Sequence, residues 1–148
     1  MSNSTPNFTP EDFKAARSSV KAGLNHAEIK YTLDGQPHTF TTEGVSGGFS
    51  QTLIFGGENV GIAWRYPTPG LEDGSNSFLF KELLNAVFYA SSFDTYTQVL
   101  EGRLDVGVKI TQDGDKETAE ITGTITDALF SNGTNTVTVR GKFTQYLS

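Results

Sequence analysis

The stretch from Glu28 to Thr42 constrains this chain more than any other, because apolar and polar residues alternate there around an Asp-Gly corner. Ile29, Tyr31 and Leu33 fall on one side and Glu28, Lys30 and Thr32 on the other, the period of two of a strand with one buried face. Asp34-Gly35 supplies the two positive-φ positions of a type I′ turn, and Pro37 to Thr42 returns with Phe40 pointing inward. The spacing predicts a hairpin.

The same period recurs downstream. Phe49 to Phe55 and Val60 to Tyr66 flank Gly56-Gly57-Glu58-Asn59, with Val60, Ile62, Trp64 and Tyr66 alternating against Gly61, Ala63 and Arg65. Further strands are expected over Tyr96 to Thr111, Ala119 to Phe130 and Thr136 to Tyr146, separated by Gln112-Asp113-Gly114-Asp115 and Ser131-Asn132-Gly133-Thr134. Consecutive strands are therefore expected to be antiparallel neighbours. Nineteen threonines suit pleated surfaces and sixteen glycines suit turns. The expected fold is all-β, an antiparallel β-sandwich or barrel of about eight to ten strands.

Two segments depart from this pattern. Met1 to Thr9 reads as a flexible lead-in, and Thr9-Pro10-Glu11-Asp12 carries the signals of a helix start, with Gly23 placed to end the helix. Phe13, Ala16, Val20 and Leu24 recur at spacings of three and four, so a short N-terminal α-helix over 10–23 is expected to pack on the sheet. The other segment is Phe78 to Ala90. Phe80, Leu83, Leu84, Val87 and Phe88 fit a helix, whereas Ala86, Phe88 and Ala90 fit a strand; two short strands are the favoured reading. Between them, Pro67 to Ser77 is the longest irregular stretch, either a functional loop or a crossing between sheets. Residues 10–148 are expected to form a single domain, since at 148 residues one core buries roughly 70% of the unfolded surface.

Charge and composition narrow the function classes. A net charge of −6 repels phosphate backbones, so nucleic acid is not an expected partner. With no cysteine there is no thiolate metal site and no disulfide framework to indicate a compartment. The N-terminal residues show no charged region followed by an apolar run, and no apolar stretch approaches about 18 residues. A soluble protein is expected, cytoplasmic or secreted.

Catalysis would fall to His26 or His38, the two imidazoles, acting with a carboxylate; neither sits in a catalytic motif. Asp113, Asp115 and Glu117 alternate as calcium ligands often do, although a solvated hairpin tip explains the same residues. Trp64, Tyr66, Tyr89, Phe93 and Tyr96 are the candidate ligand-binding aromatics, set against the alternative that they fill the core. The leading expectation is a non-enzymatic binding or interaction module for a carbohydrate, a small apolar ligand or a protein. A membrane-active, toxin-like β protein and a small β-barrel hydrolase or isomerase are the alternatives. Self-association through unpaired edges is open to any such chain.

Overall fold

The structure is a computed structural model that describes residues 25–33, 35–56, 60–90 and 94–147. The expected helix over 10–23, Asp34 of the first turn and Phe93 lie outside those residues. The described chain forms eleven strands: β1 (His26–Leu33), β2 (Gln36–Thr42), β3 (Val45–Gly47), β4 (Gln51–Phe55), β5 (Val60–Arg65), β6 (Gly74–Leu79), β7 (Leu84–Ala90), β8 (Asp94–Tyr96), β9 (Gln98–Asp113), β10 (Lys116–Ser131) and β11 (Thr136–Leu147). They make two antiparallel sheets, a six-stranded one in the order β2-β1-β11-β10-β9-β6 and a five-stranded one in the order β3-β4-β5-β7-β8. The sheets have separate edges, so the architecture is a sandwich and not a closed barrel.

The predicted hairpin is present, with Ile29 opposite Phe40 and Tyr31 opposite His38. Gly35 takes φ +75° at its corner. The later turns also lie where expected, closing β9 onto β10 and β10 onto β11. The expectation of consecutive neighbours is corrected elsewhere. β1 pairs with β11 as well as β2, β5 pairs with β7, and β6 pairs with β9. The cause is that the chain changes sheets four times, and each change separates neighbours in sequence.

Two of those crossings are tightly held. Between β2 and β3 only Glu43 and Gly44 intervene; the Thr42 hydroxyl accepts from the Gly44 N–H at 2.8 Å and donates to the Phe55 carbonyl at 2.8 Å. The ambiguous segment after Phe78 is strand, turn and strand: β6 ends, Phe80–Glu82 forms a single 3-10 turn, and β7 begins in the other sheet. The helical alternative fails there because Leu79 and Leu83, at the two ends of the turn, are both extended. Pro67 to Asp73 is a crossing too, carrying the chain from β5 to β6.

The core between the sheets is largely aromatic. Trp64 meets Phe80, Phe143 and Tyr66 with ring centroids 5.5, 5.8 and 6.4 Å away, and Phe80 continues to Phe130 at 5.9 Å. Phe130 then reaches Phe88, which touches Tyr31 and Tyr96. Most of these pairs are tilted or edge-to-face, the orientations that add about 0.5–1.5 kcal/mol each beyond their area. Phe143 lies over Gly123, where an added Cβ would enter its ring.

One irregularity has no counterpart in the hydrophobic pattern. The β10–β11 register slips between Ile125 and Ala128, with Asp127 in the left-handed region at φ +46° and its carboxylate 3.0 Å from the Arg140 guanidinium. Opposite this bulge, Gly102 sits at φ +125°, and a Cβ there would lie 2.5 Å from the Ala128 Cα. Both the backbone angle and the space require glycine.

Candidate binding groove

A sandwich needs one apolar face per sheet, yet the five-stranded sheet has two. Along β5, Ile62, Ala63 and Trp64 are all 0% exposed, although only Ile62 and Trp64 point between the sheets. The strand that alternates Val60, Ile62, Trp64 and Tyr66 against Gly61, Ala63 and Arg65 is thus covered at Gly61 and Ala63 on its second face as well. Leu53, Phe55, Ala63, Val87 and Tyr89 make a second apolar cluster, separate from the main core, on the outward side of β4, β5 and β7.

The register shapes that face. Phe55 pairs with Gly61, which pairs with Tyr89; Leu53 pairs with Ala63, which pairs with Val87. Each row runs large, small, large, so the small residues of the middle strand form a floor between two walls. The backbones of β4 and β7 stand two strand spacings apart, about 10 Å. One end is polar, where the Arg65 guanidinium donates to Asn85 Oδ1 at 3.0 Å. Asn85 itself is in the left-handed region at φ +54°, where the β5–β7 register shifts between Ala63 and Arg65.

Of the aromatics proposed from sequence, Tyr89 is a wall of this groove, whereas Trp64, Tyr66 and Tyr96 belong to the inner core. All four are buried, so none stands as an exposed platform for a sugar ring. Tyr66 has the most perturbed chemistry. Burial pushes its hydroxyl up to about 12, against the opposing influence of Thr52 and the Trp64 indole. Its oxygen lies 2.7 Å from the Thr52 hydroxyl, itself buried. Among the described residues, Trp64 Nε1 meets no acceptor and Gln145 Oε1 no donor at hydrogen-bonding geometry. Tyr31 is raised as well, by burial.

The other sequence candidates do not converge. Asp113 pairs with Lys116 and Glu117 with Gln112, so alternation sends the Asp113 and Glu117 carboxylates to opposite sides of the hairpin, with Asp115 in the turn. Among the described residues no three His, Cys, Asp or Glu side chains are grouped to hold a metal ion. His26 is exposed at the start of β1, and His38 is stacked on Tyr31 with centroids 4.9 Å apart near the other end of the hairpin. On the outer face of the larger sheet, Ser77 and then Arg103 hold the Asp105 carboxyl below its usual range. No helix among the described residues is long and apolar enough to cross a membrane.

The groove residues Leu53, Phe55, Ala63 and Val87 were not singled out by sequence reasoning. A usable signal was there: Leu53-Ile54-Phe55 and Ala86 to Ala90 are runs in which neighbours on both faces are apolar or aromatic, the mark of a strand buried on two sides. Comparison of the chain with protein-family models, with curated proteins and with solved structures finds no match.

Proposed function

We propose that this protein is a non-enzymatic interaction module that takes an amphipathic helix into the groove on the outward face of its five-stranded sheet. The observation that carries this reading is the pair of cross-strand rows Phe55–Gly61–Tyr89 and Leu53–Ala63–Val87. A helix laid along such a trough buries a narrow apolar stripe while its charged side remains in water, which is the helix-in-groove mode of peptide recognition. The N-terminal helix expected from the sequence is a segment of this kind.

Among the partners considered, a protein segment fits best. The sugar-binding reading depended on exposed tyrosine and tryptophan, and those side chains are in the interior or in the groove wall. Among the described residues, the side chains of the cluster, Leu53, Phe55, Ala63, Val87 and Tyr89, carry no charge to orient a small polar molecule.

The test is a panel of amphipathic helical peptides probed with the native chain and with an Ala63→Leu variant, which fills the floor. Peptides whose apolar stripe is one residue wide bind the native chain and lose at least about tenfold in affinity for the variant. A chain that binds no such peptide, while a glycan array gives specific signals, would overturn the proposal.

A further inference from the structure

We infer that β6 is a self-recognition edge, through which two copies of this chain pair antiparallel and join their six-stranded sheets into one continuous sheet. The edge belongs to the larger sheet, so the inference is independent of the groove on the smaller one.

The first support is the contrast among the sheet edges. The larger sheet ends in β2 and β6, the smaller in β3 and β8. Open edges invite pairing with other chains, and shortness, proline or charge blunts them. β3 and β8 are three residues each, and β2 carries Pro37, which has no N–H to offer. β6 has none of these devices. Its six residues, from Gly74 to Leu79, include no proline and no charged side chain, although the chain as a whole carries −6. Leu79, its last residue, is 58% exposed, the most exposed large apolar side chain among the described residues.

The second support is the direction of the backbone groups. β6 pairs with β9 without a register break, from Gly74 opposite Val108 to Leu79 opposite Arg103. The Leu79 N–H donates to the Glu82 carboxylate at 2.7 Å, so it points away from β9. Directions alternate along an antiparallel ladder, and the N–H and C=O of Ser77 and Ser75 therefore point away from β9 as well. Both serines are exposed. At the other end of the strand the Asp73 carboxylate accepts from the Ile110 N–H at 3.3 Å, beyond the last β6–β9 pair. Two carboxylates thus close the ends of the edge and leave Ser75 and Ser77 between them. Asn76 holds this window in shape: its Nδ2 donates to the Glu72 and Val106 carbonyls at 2.8 and 3.3 Å, and its Oδ1 accepts from the Glu72 N–H at 3.0 Å. A preformed edge loses little freedom on pairing.

The third support identifies the occupant. A two-fold axis at Asn76 sets Ser75 of one copy opposite Ser77 of the other, and the backbone groups of the window then satisfy each other reciprocally. The same operation lays the acidic end of the edge, Glu72 and Asp73, beside the Lys81 end of the second copy, once on each side of the axis. Glu72 and Lys81 are exposed, whereas the Glu82 carboxylate is already held by its own Leu79 N–H. This complementarity exists only for antiparallel pairing; parallel strands would set Glu72 near Glu72 and Lys81 near Lys81.

Sedimentation velocity over a concentration series tests the inference on the full chain. The native chain is expected to form a dimer. Ser75→Lys combined with Ser77→Lys places like charges directly opposite each other, and is expected to raise the dimer dissociation constant at least about tenfold. Lys81→Glu is expected to weaken the dimer, and adding Glu72→Lys to restore it; this swap lies outside the strand and reports even where the lysine pair impairs folding. Amide exchange at Ser75 and Ser77 is expected to slow as the dimer forms. A native chain that stays monomeric up to its solubility limit overturns the inference. So does a dimer that tolerates the lysine pair, or one that dissociates on Thr39→Pro in β2, since either places the contact elsewhere. A charge swap that does not restore the dimer overturns the antiparallel pairing, and with it the proposal.

Discussion

The Thr52–Tyr66 pair shows how a single hydroxyl contact sets local chemistry. Both groups are buried and each satisfies the other, so Tyr66→Phe leaves the Thr52 hydroxyl without its partner and costs about 1–3 kcal/mol. The double variant Thr52→Val with Tyr66→Phe is expected to lose less than the sum of the two singles, measured by urea denaturation. The raised Tyr66 value has a definite sign. Below pH 10 the hydroxyl is protonated in folded and unfolded chains alike; between 10.0 and about 12 the unfolded chain releases the proton and the folded chain keeps it. Stability therefore falls as pH rises through that window, and the fall is shallower in Tyr66→Phe. Trp64, 0% exposed among Phe80, Phe143 and Tyr66, should emit at short wavelength and resist quenching by acrylamide. Residue type alone could not place these aromatics, since Trp and Tyr serve equally as core and as exposed anchors.

Among the elements, hairpins were the most legible in sequence because their turns demand particular residues. Gly35 and Gly133 stand where positive φ is required, and the strands beside them follow. On β5 the second buried face was not legible, because Gly61 and Ala63 are small residues that carry too little apolar area to reveal that they are covered. The bulge at Asp127 was invisible for a different reason. Thr126 and Asp127 are polar residues in an outward-facing stretch, and nothing in their alternation marks an extra residue. Its partner Gly102 can be tested. Gly102→Ala is expected to destabilise by about 2–4 kcal/mol, from the strain of positive φ together with the approach to Ala128, as read from the thermal or urea midpoint. A loss below about 0.5 kcal/mol would show that the bulge can be rebuilt without glycine. Gly114, also at positive φ but with open space around it, should tolerate alanine at lower cost.

For the molecule as a whole, the sequence pointed to an antiparallel sandwich or barrel with consecutive strands as neighbours, and did not place the pairs β1–β11, β5–β7 and β6–β9. The strand order depends on the four sheet changes, at Glu43-Gly44, Pro67–Asp73, Phe80–Glu82 and Thr97, whose direction is set by packing and not by local preference. If the inner aromatic core and the outward cluster share β4, β5 and β7, they should melt together: far-ultraviolet dichroism and Trp64 emission are expected to give coincident unfolding curves. Separated curves would show that one sheet loosens before the other. The pairing of β1 with β11 has a further consequence for biosynthesis. His26 to Leu33 finds β2 within a few residues, but its second neighbour comes from Val137 to Thr144, more than a hundred residues later. During translation that flank stays open until β11 has been made, so the first hairpin completes its sheet only by a contact that closes a very long loop.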